Sequence, residues 1–181
     1  MGVRRHSTAA PTAAALAALS LLLGGCATPV PPGQADWLSG RLSLRVDAAP
    51  AAPARQMSSA FELRGDGARG ELRLNSPLGT LLAAASWAPG EARLVTPEGE
   101  RRYADLDAMS REALGEALPL RALPAWLRGQ RWEGSPSQAT AEGFEQLGWQ
   151  IGLQRFSDGW VEIRRQSPPA VLLRALVERP A

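Results

Sequence analysis

Few side chains in this sequence can do chemistry. Its 181 residues hold one cysteine, Cys26, one histidine, His6, and no lysine. A thiol can serve as a nucleophile, a metal ligand, a disulfide partner or the acceptor of a covalent modification. The first three need company. A catalytic thiol or hydroxyl needs an imidazole or another base beside it. A zinc site needs further histidines or thiolates, and a disulfide needs a second cysteine. A Schiff base needs a lysine. Paired-carboxylate hydrolysis remains formally open. Asp105 and Asp107 are the nearest such pair, but residues i and i+2 face apart on a helix. Their simpler role is to start a helix and keep it solvated. The inventory therefore predicts no enzyme, no metal and no cofactor, and leaves modification of Cys26 as the one reaction the sequence advertises.

The setting of Cys26 supports that reading. Arg4, Arg5 and His6 give a positive start, and the apolar run from Ala13 to Leu23 is 11 residues long. That is too short to span a bilayer. With the small residues Gly24 and Gly25 it has the form of a secretory leader over residues 1–25. Leu23-Gly24-Gly25-Cys26 resembles the bacterial lipobox, in which the cysteine is acylated and becomes the first residue of the mature chain. An ordinary leader with an incidental cysteine is the alternative, but a lone thiol in an exported protein needs an explanation. A single acyl chain holds a membrane weakly, whereas two or more anchor stably. Bacterial lipoproteins generally carry three. Ala27 follows, where an aspartate retains many lipoproteins in the inner membrane. The expectation is an outer-membrane, lipid-anchored protein facing the periplasm. His6 leaves with the leader. Removing Arg4 and Arg5 from the 20 basic residues leaves 18 against 18 acidic ones, a formal charge of zero. The arginines are scattered, so no nucleic-acid partner is expected.

The elements that would position any site begin after a tether. Residues 26–36 contain "ATPVPPGQAD", with three prolines and one glycine, an extended segment reaching roughly 3.3–3.6 Å per residue. Residues 37–181 then read as a single domain. "GRLSLRV" alternates Leu42, Leu44 and Val46 with polar residues, the mark of a half-buried strand. "SAFELRG" and "GELRLNS" alternate likewise around a turn at Gly65-Asp66-Gly67. "TLLAAASWA", "EARLVT" and "RRYA" continue the series. The period then lengthens. Leu106, Met109, Ala113 and Ala117 recur at helical spacing, with Asp105 or Asp107 as cap and Pro119 as stop. Pro124 suits the first turn of a short second helix and Gly129 the position after its end. "RWEGSPSQATAEG" reads as a loop, "FEQLGWQIGLQRF" and "GWVEIRR" as strands, and "AVLLRALVE" as a strand with or without a short helix. Roughly nine strands with helices inserted between them predict an open, strongly curved antiparallel sheet with helices across its mouth. Ala83, Ala84 and Ala85 leave space for either a cavity or close helix packing.

One turn carries an unusual residue. In "NSPLGT", Ser76, Pro77 and Gly79 fit positions one, two and four of a β-turn, which puts Leu78 at the tip, where polar or small residues are usual. Leu78 either folds back onto a helix or the Trp37 region, or is presented to something apolar.

The lipobox "LGGC", the strand "GRLSLRV", the turn "NSPLGT", then "PGEARLVTPEGERRYA", "LGEALPLRALPAWLRG" and "GWQIGL" together resemble the LolB family of outer-membrane lipoprotein receptors, in order along the mature chain. The resemblance implies a mainly β fold with short helices, an incomplete antiparallel barrel whose opening is covered by helices around an apolar cavity. It implies a monomer that takes acylated lipoproteins from a LolA-like periplasmic carrier and passes them to outer-membrane lipid. In this frame the candidate cavity lining is Leu42, Leu44, Phe61, Leu63, Leu72, Leu74, Leu82, Trp87, Leu94, Trp126 and Trp149, and the membrane-contacting loop is Pro77, Leu78 and Gly79. A non-catalytic lipoprotein that scaffolds a protein partner shares the anchor and the β domain without needing a cavity.

Overall fold

The computed structural model describes residues 1–2, 37–50 and 53–178. The leader, Cys26 and the tether lie outside them. From Trp37 onward the alternation in the sequence becomes strands. In β1 (Leu38–Val46), Leu42, Leu44 and Val46 are buried and Arg41 and Arg45 exposed. Then follow β2 (Arg55–Gly65), β3 (Gly70–Asn75), β4 (Leu81–Ala88), β5 (Glu91–Thr96) and β6 (Gly99–Tyr103). Two helices interrupt, α1 (Leu106–Leu114) and α2 (Leu123–Leu127). The chain finishes with β7 (Ser137–Thr140), β8 (Gly143–Gln146), β9 (Trp149–Gly152), β10 (Trp160–Arg165) and β11 (Val171–Val177).

Short connections make sequential strands antiparallel neighbours. All eleven form one sheet in the order β6-β5-β4-β3-β2-β1-β11-β10-β9-β8-β7. The first and last strands pair in its middle, from Gly40 opposite Val177 to Val46 opposite Val171. β6 and β7 are the two edges, so the sheet stays open. Laid flat, eleven strands at about 4.8 Å spacing would be roughly 48 Å wide. Instead Leu72 and Trp87 from one half, and Phe144 and Ile151 from the other, share one apolar cluster with Leu106, Leu123, Trp126 and Leu127 of the helices. The fold is a half-barrel around that cluster.

The eleven strands exceed the nine expected. β7 lies inside the stretch read as a loop. β8 and β9 come from the stretch read as one strand, folded by Leu147 and Gly148 with φ of 55° and 76°. A two-residue hairpin needs positive φ at both positions; asparagine usually supplies the first, and leucine conceals the signal. The helix expected to run to Pro119 ends at Leu114, because Gly115 adopts φ 78° and its N–H donates back to the Arg111 carbonyl. A left-handed glycine terminates a helix as firmly as proline. The stretch "AVLLRALVE", open between a strand and a strand with a short helix, supplies β11 at Val171–Val177.

The start of α1 is chemically explicit. Asp105 has extended backbone, and its Oδ1 accepts from the Ala108 N–H at 2.7 Å, leaving one fewer unpaired donor in the first turn. Replacing Asp105 with Ala is expected to lower unfolding free energy by about 1 kcal/mol, read as a shift in the urea midpoint. A midpoint equal to wild type would show that the cap contributes nothing.

Candidate functional site

The apolar interior is built where the two halves of the sheet meet the helical segment. Of the eleven expected lining residues, Leu42, Leu44, Phe61, Leu63, Leu72, Trp87, Trp126 and Trp149 are buried in the common cluster, and Leu74 and Leu94 pack against it. Leu82 does not join them. In β4, Ala83 and Ala85 lie opposite Leu74 and Leu72, so Ala83, Ala85 and Trp87 point inward and Leu82 points to the other face, 39% exposed. A strand's period of two decides this. In a stretch apolar at both phases the sequence left the phase unreadable.

Residues of the helical segment pack into the core with the sheet. Leu118, Leu120, Leu123 and Trp126 meet Leu44, Ile163, Val171 and Leu173 around a wholly apolar gap of about 20 Å³. That is room for about one water-sized sphere. Only Leu44 and Trp126 of this lining were among the expected residues. Val171 and Leu173 alternate visibly in "VLLRALV", but without the central pairing of β11 with β1 nothing tells which phase faces inward.

A buried amide holds part of that segment. Gln146, 2% exposed, accepts at Oε1 from the Trp126 indole N–H at 2.7 Å and from the Trp132 N–H at 2.9 Å. Its Nε2 donates to the carbonyls of Trp132 at 2.7 Å and Ser135 at 2.6 Å. Four bonds use the full capacity of the side chain, so burial costs it no missing partner. The network fixes α2 and residues 132–135 to β8. No pattern in the sequence pointed to Gln146, whose role exists only after distant segments converge. A second cleft of about 770 Å³ lies by the turns at residues 65–68 and 88–91 and the end of α2, lined by Trp87, Leu106, Pro124 and Trp132 with Asp66 and Arg121 among the charged groups on its walls. There the N–H groups of Arg69 and Ala68 hold the Asp66 carboxyl below its ordinary range. Such a turn gains from ionised Asp66 above the ordinary carboxylate pKa and loses that gain as pH falls through the lowered value.

The turn at residues 76–79 stands free of all this. The Gly79 N–H donates to the Ser76 carbonyl at 2.9 Å, and the Ser76 N–H to the Thr80 carbonyl at 2.8 Å. Gly79 has φ 82°, and a Cβ placed on it would meet nothing within 4 Å. Leu78 is 94% exposed. It does not fold back onto Trp37, whose ring lies under Arg64 and Arg73, with the guanidinium carbons 4.6 and 4.9 Å from its centroid.

An open antiparallel half-barrel, an apolar core shared by the sheet and the helical segment, and an exposed leucine on a glycine-built turn define a mainly β protein. The chain belongs to the LolB family: the family model described as "Outer membrane lipoprotein LolB" matches residues 36–173. The Outer-membrane lipoprotein LolB of Bordetella petrii is 34% identical over 181 residues, covering 91% of this chain and 90% of that protein. That of Chromobacterium violaceum is 35% identical over 155 residues, covering 79% and 82%.

The Gln146 network makes a stability prediction. Gln146→Leu keeps a similar volume but strands two donors and two carbonyls, and is expected to cost about 3 kcal/mol or more. Chemical denaturation checks it. A loss under 1 kcal/mol would mean that these groups find other partners.

Proposed function

We propose that this protein is an outer-membrane lipoprotein receptor. It is acylated at Cys26, held to the periplasmic face of the outer membrane, and linked to its domain by residues 26–36. It accepts acylated lipoproteins from a LolA-like carrier into the apolar interior, beneath the helical segment, and releases them into the inner leaflet. The relatives are outer-membrane lipoproteins by name, and a leader ending at Cys26 supports the same setting here.

The physical logic is the cost of an acyl chain in water, about 0.8 kcal/mol per CH₂. Each handover therefore runs from one apolar environment to another. A receptor has to hold cargo more tightly than the carrier and less tightly than the bilayer, and each 1.4 kcal/mol of difference is about tenfold. The apolar gap is far smaller than an acyl chain, so cargo enters by displacing Leu118, Leu120 and Leu123 from the sheet. Those side chains are themselves an apolar stand-in for cargo, which keeps the empty interior from exposing a large apolar face.

The observation that carries the reading is Leu78. A leucine almost wholly in water at a rigid tip gains ~1.5–3 kcal/mol on full burial in lipid, and that gain is available only at the membrane. Leu78→Glu is expected to fold and to accept cargo from a carrier–lipoprotein complex, but to lose transfer to liposomes; Leu78→Ala should be intermediate. Transfer by Leu78→Glu at the wild-type rate would sink the role of the tip. The scaffold alternative makes a different demand. A Cys26→Ala protein should bind a fluorescent fatty acid and release it to unlabelled competitor; absence of displaceable binding favours a partner-holding role instead.

A further inference from the structure

At the rim of the apolar gap stands a cation whose surroundings satisfy it only in part. Arg165 ends β10 on the same face as Ile163 and lies opposite Val171; Ile163 and Val171 both line the gap. The Arg165 side chain is only 16% exposed. Its Nη1 donates to a carboxylate oxygen of Glu116 at 3.1 Å, and its Nη2 to the Pro169 carbonyl at 2.9 Å. The guanidinium carbon sits 5.1 Å from the centre of the Trp149 ring. The remaining Nε is buried and has no partner. Burying a donor without an acceptor is costly, and such groups call for an explanation.

Glu116 is on the other side of the rim. It follows Gly115 and precedes Leu118, Pro119 and Leu120, which fill the gap. The end of α1 just before it is tied to the sheet by Arg55, whose Nη1 donates to the Ala113 carbonyl at 3.1 Å. Arg165 and Glu116 thus join the sheet to the helical segment beside the gap. Were residues 116–120 to move off the sheet, Glu116 would go with them. Arg165 would stay, because Trp149 and the Pro169 carbonyl belong to the sheet side.

We propose that Arg165 recognises the ester carbonyls that join acyl chains to their glyceryl head, and that Glu116 occupies this donor while the interior is shut. The inference rests on the reading that acyl chains enter this gap. A chain lying against Ile163, Val171 and Leu173 would bring its carbonyl to the rim, within range of the guanidinium. A guanidinium has five N–H donors in a fixed fork, enough to keep Pro169 and serve ligand carbonyls. The ligand then supplies what hydrocarbon alone cannot, an acceptor for a desolvated cation.

The test uses the Cys26→Ala chain and two probes with one fluorophore, a pyrene-labelled diacylglycerol and a pyrene-labelled alkane without carbonyls. Glu116→Gln weakens the latch to a neutral hydrogen bond but keeps the donor, so both affinities are expected to rise, with their ratio unchanged. Arg165→Met removes latch and donor together. The alkane should again bind more tightly, while the ratio of diacylglycerol to alkane affinity falls about tenfold. Arg165→Lys keeps the cation without the fork and should fall between; it also serves if Arg165→Met does not fold. If both replacements raise both affinities alike, Arg165 is a latch only and recognition is overturned. If wild type and Glu116→Gln bind neither probe, the reading of the interior as an acyl site fails, and this inference with it.

Discussion

An open antiparallel sheet has an apolar inner face with nothing built in to cover it. In a closed barrel the opposite wall does so. Here eleven strands stop short of closure, and β6 and β7 remain as edges. The exposed face has to be buried by something, and the segment between β6 and β7 does it, contributing Leu118, Leu120, Leu123, Trp126 and Leu127 to the core. Most of the other features follow from that arrangement. The chain needs a plug, the plug must be anchored, and its anchors differ in strength.

The anchors fall into two kinds. Around α2, Gln146 makes four hydrogen bonds with all its polar atoms satisfied and water excluded. Breaking that set would strand several buried groups at once, so this end is fixed. Around the end of α1 and residues 115–120 the ties to the sheet are mostly exposed: Arg55 on the Ala113 carbonyl, Arg101 and Tyr103 on Glu112, and the half-buried Arg165–Glu116 pair. Gly115, already at positive φ, sits where the chain leaves α1. An ion pair with one donor unmet is a weaker hold than a saturated amide network. The strength of the ties thus divides the plug into a post and a leaf.

The tip at Leu78 obeys the same economy of apolar surface, turned outward. A buried leucine stabilises the fold; an exposed one contributes nothing until another apolar phase arrives. The turn of Pro77 and Gly79, with Gly79 at φ 82°, presents that side chain to solvent. Leu81 and Leu82, each 39% exposed, follow on the same hairpin.

Local signals were readable from the sequence because they act over a few residues. The alternation in β1 to β3, the Ser76-Pro77-Gly79 turn, the Asp105 cap and the place of Gly129 after α2 are all set by backbone sterics and neighbouring hydrogen bonds. Signals with two solutions were not readable. "TLLAAASWA" is apolar at both phases, and only pairing with β3 sends Ala85 inward and Leu82 outward. Leu147 hides a hairpin that the pairing of β8 with β9 enforces against its preference for negative φ. The roles of Gln146, Glu116 and Arg165 depend on contacts that reach residues as far as 49 apart in the chain, and no local pattern records them. The sequence by itself determined the apolar phase of the first strands, the turn at residues 76–79 and the cap of α1, because those signals are local. The tertiary structure alone decided what covers the open sheet and which side chains hold that cover, because burial and long-range hydrogen bonds exist only once distant segments meet.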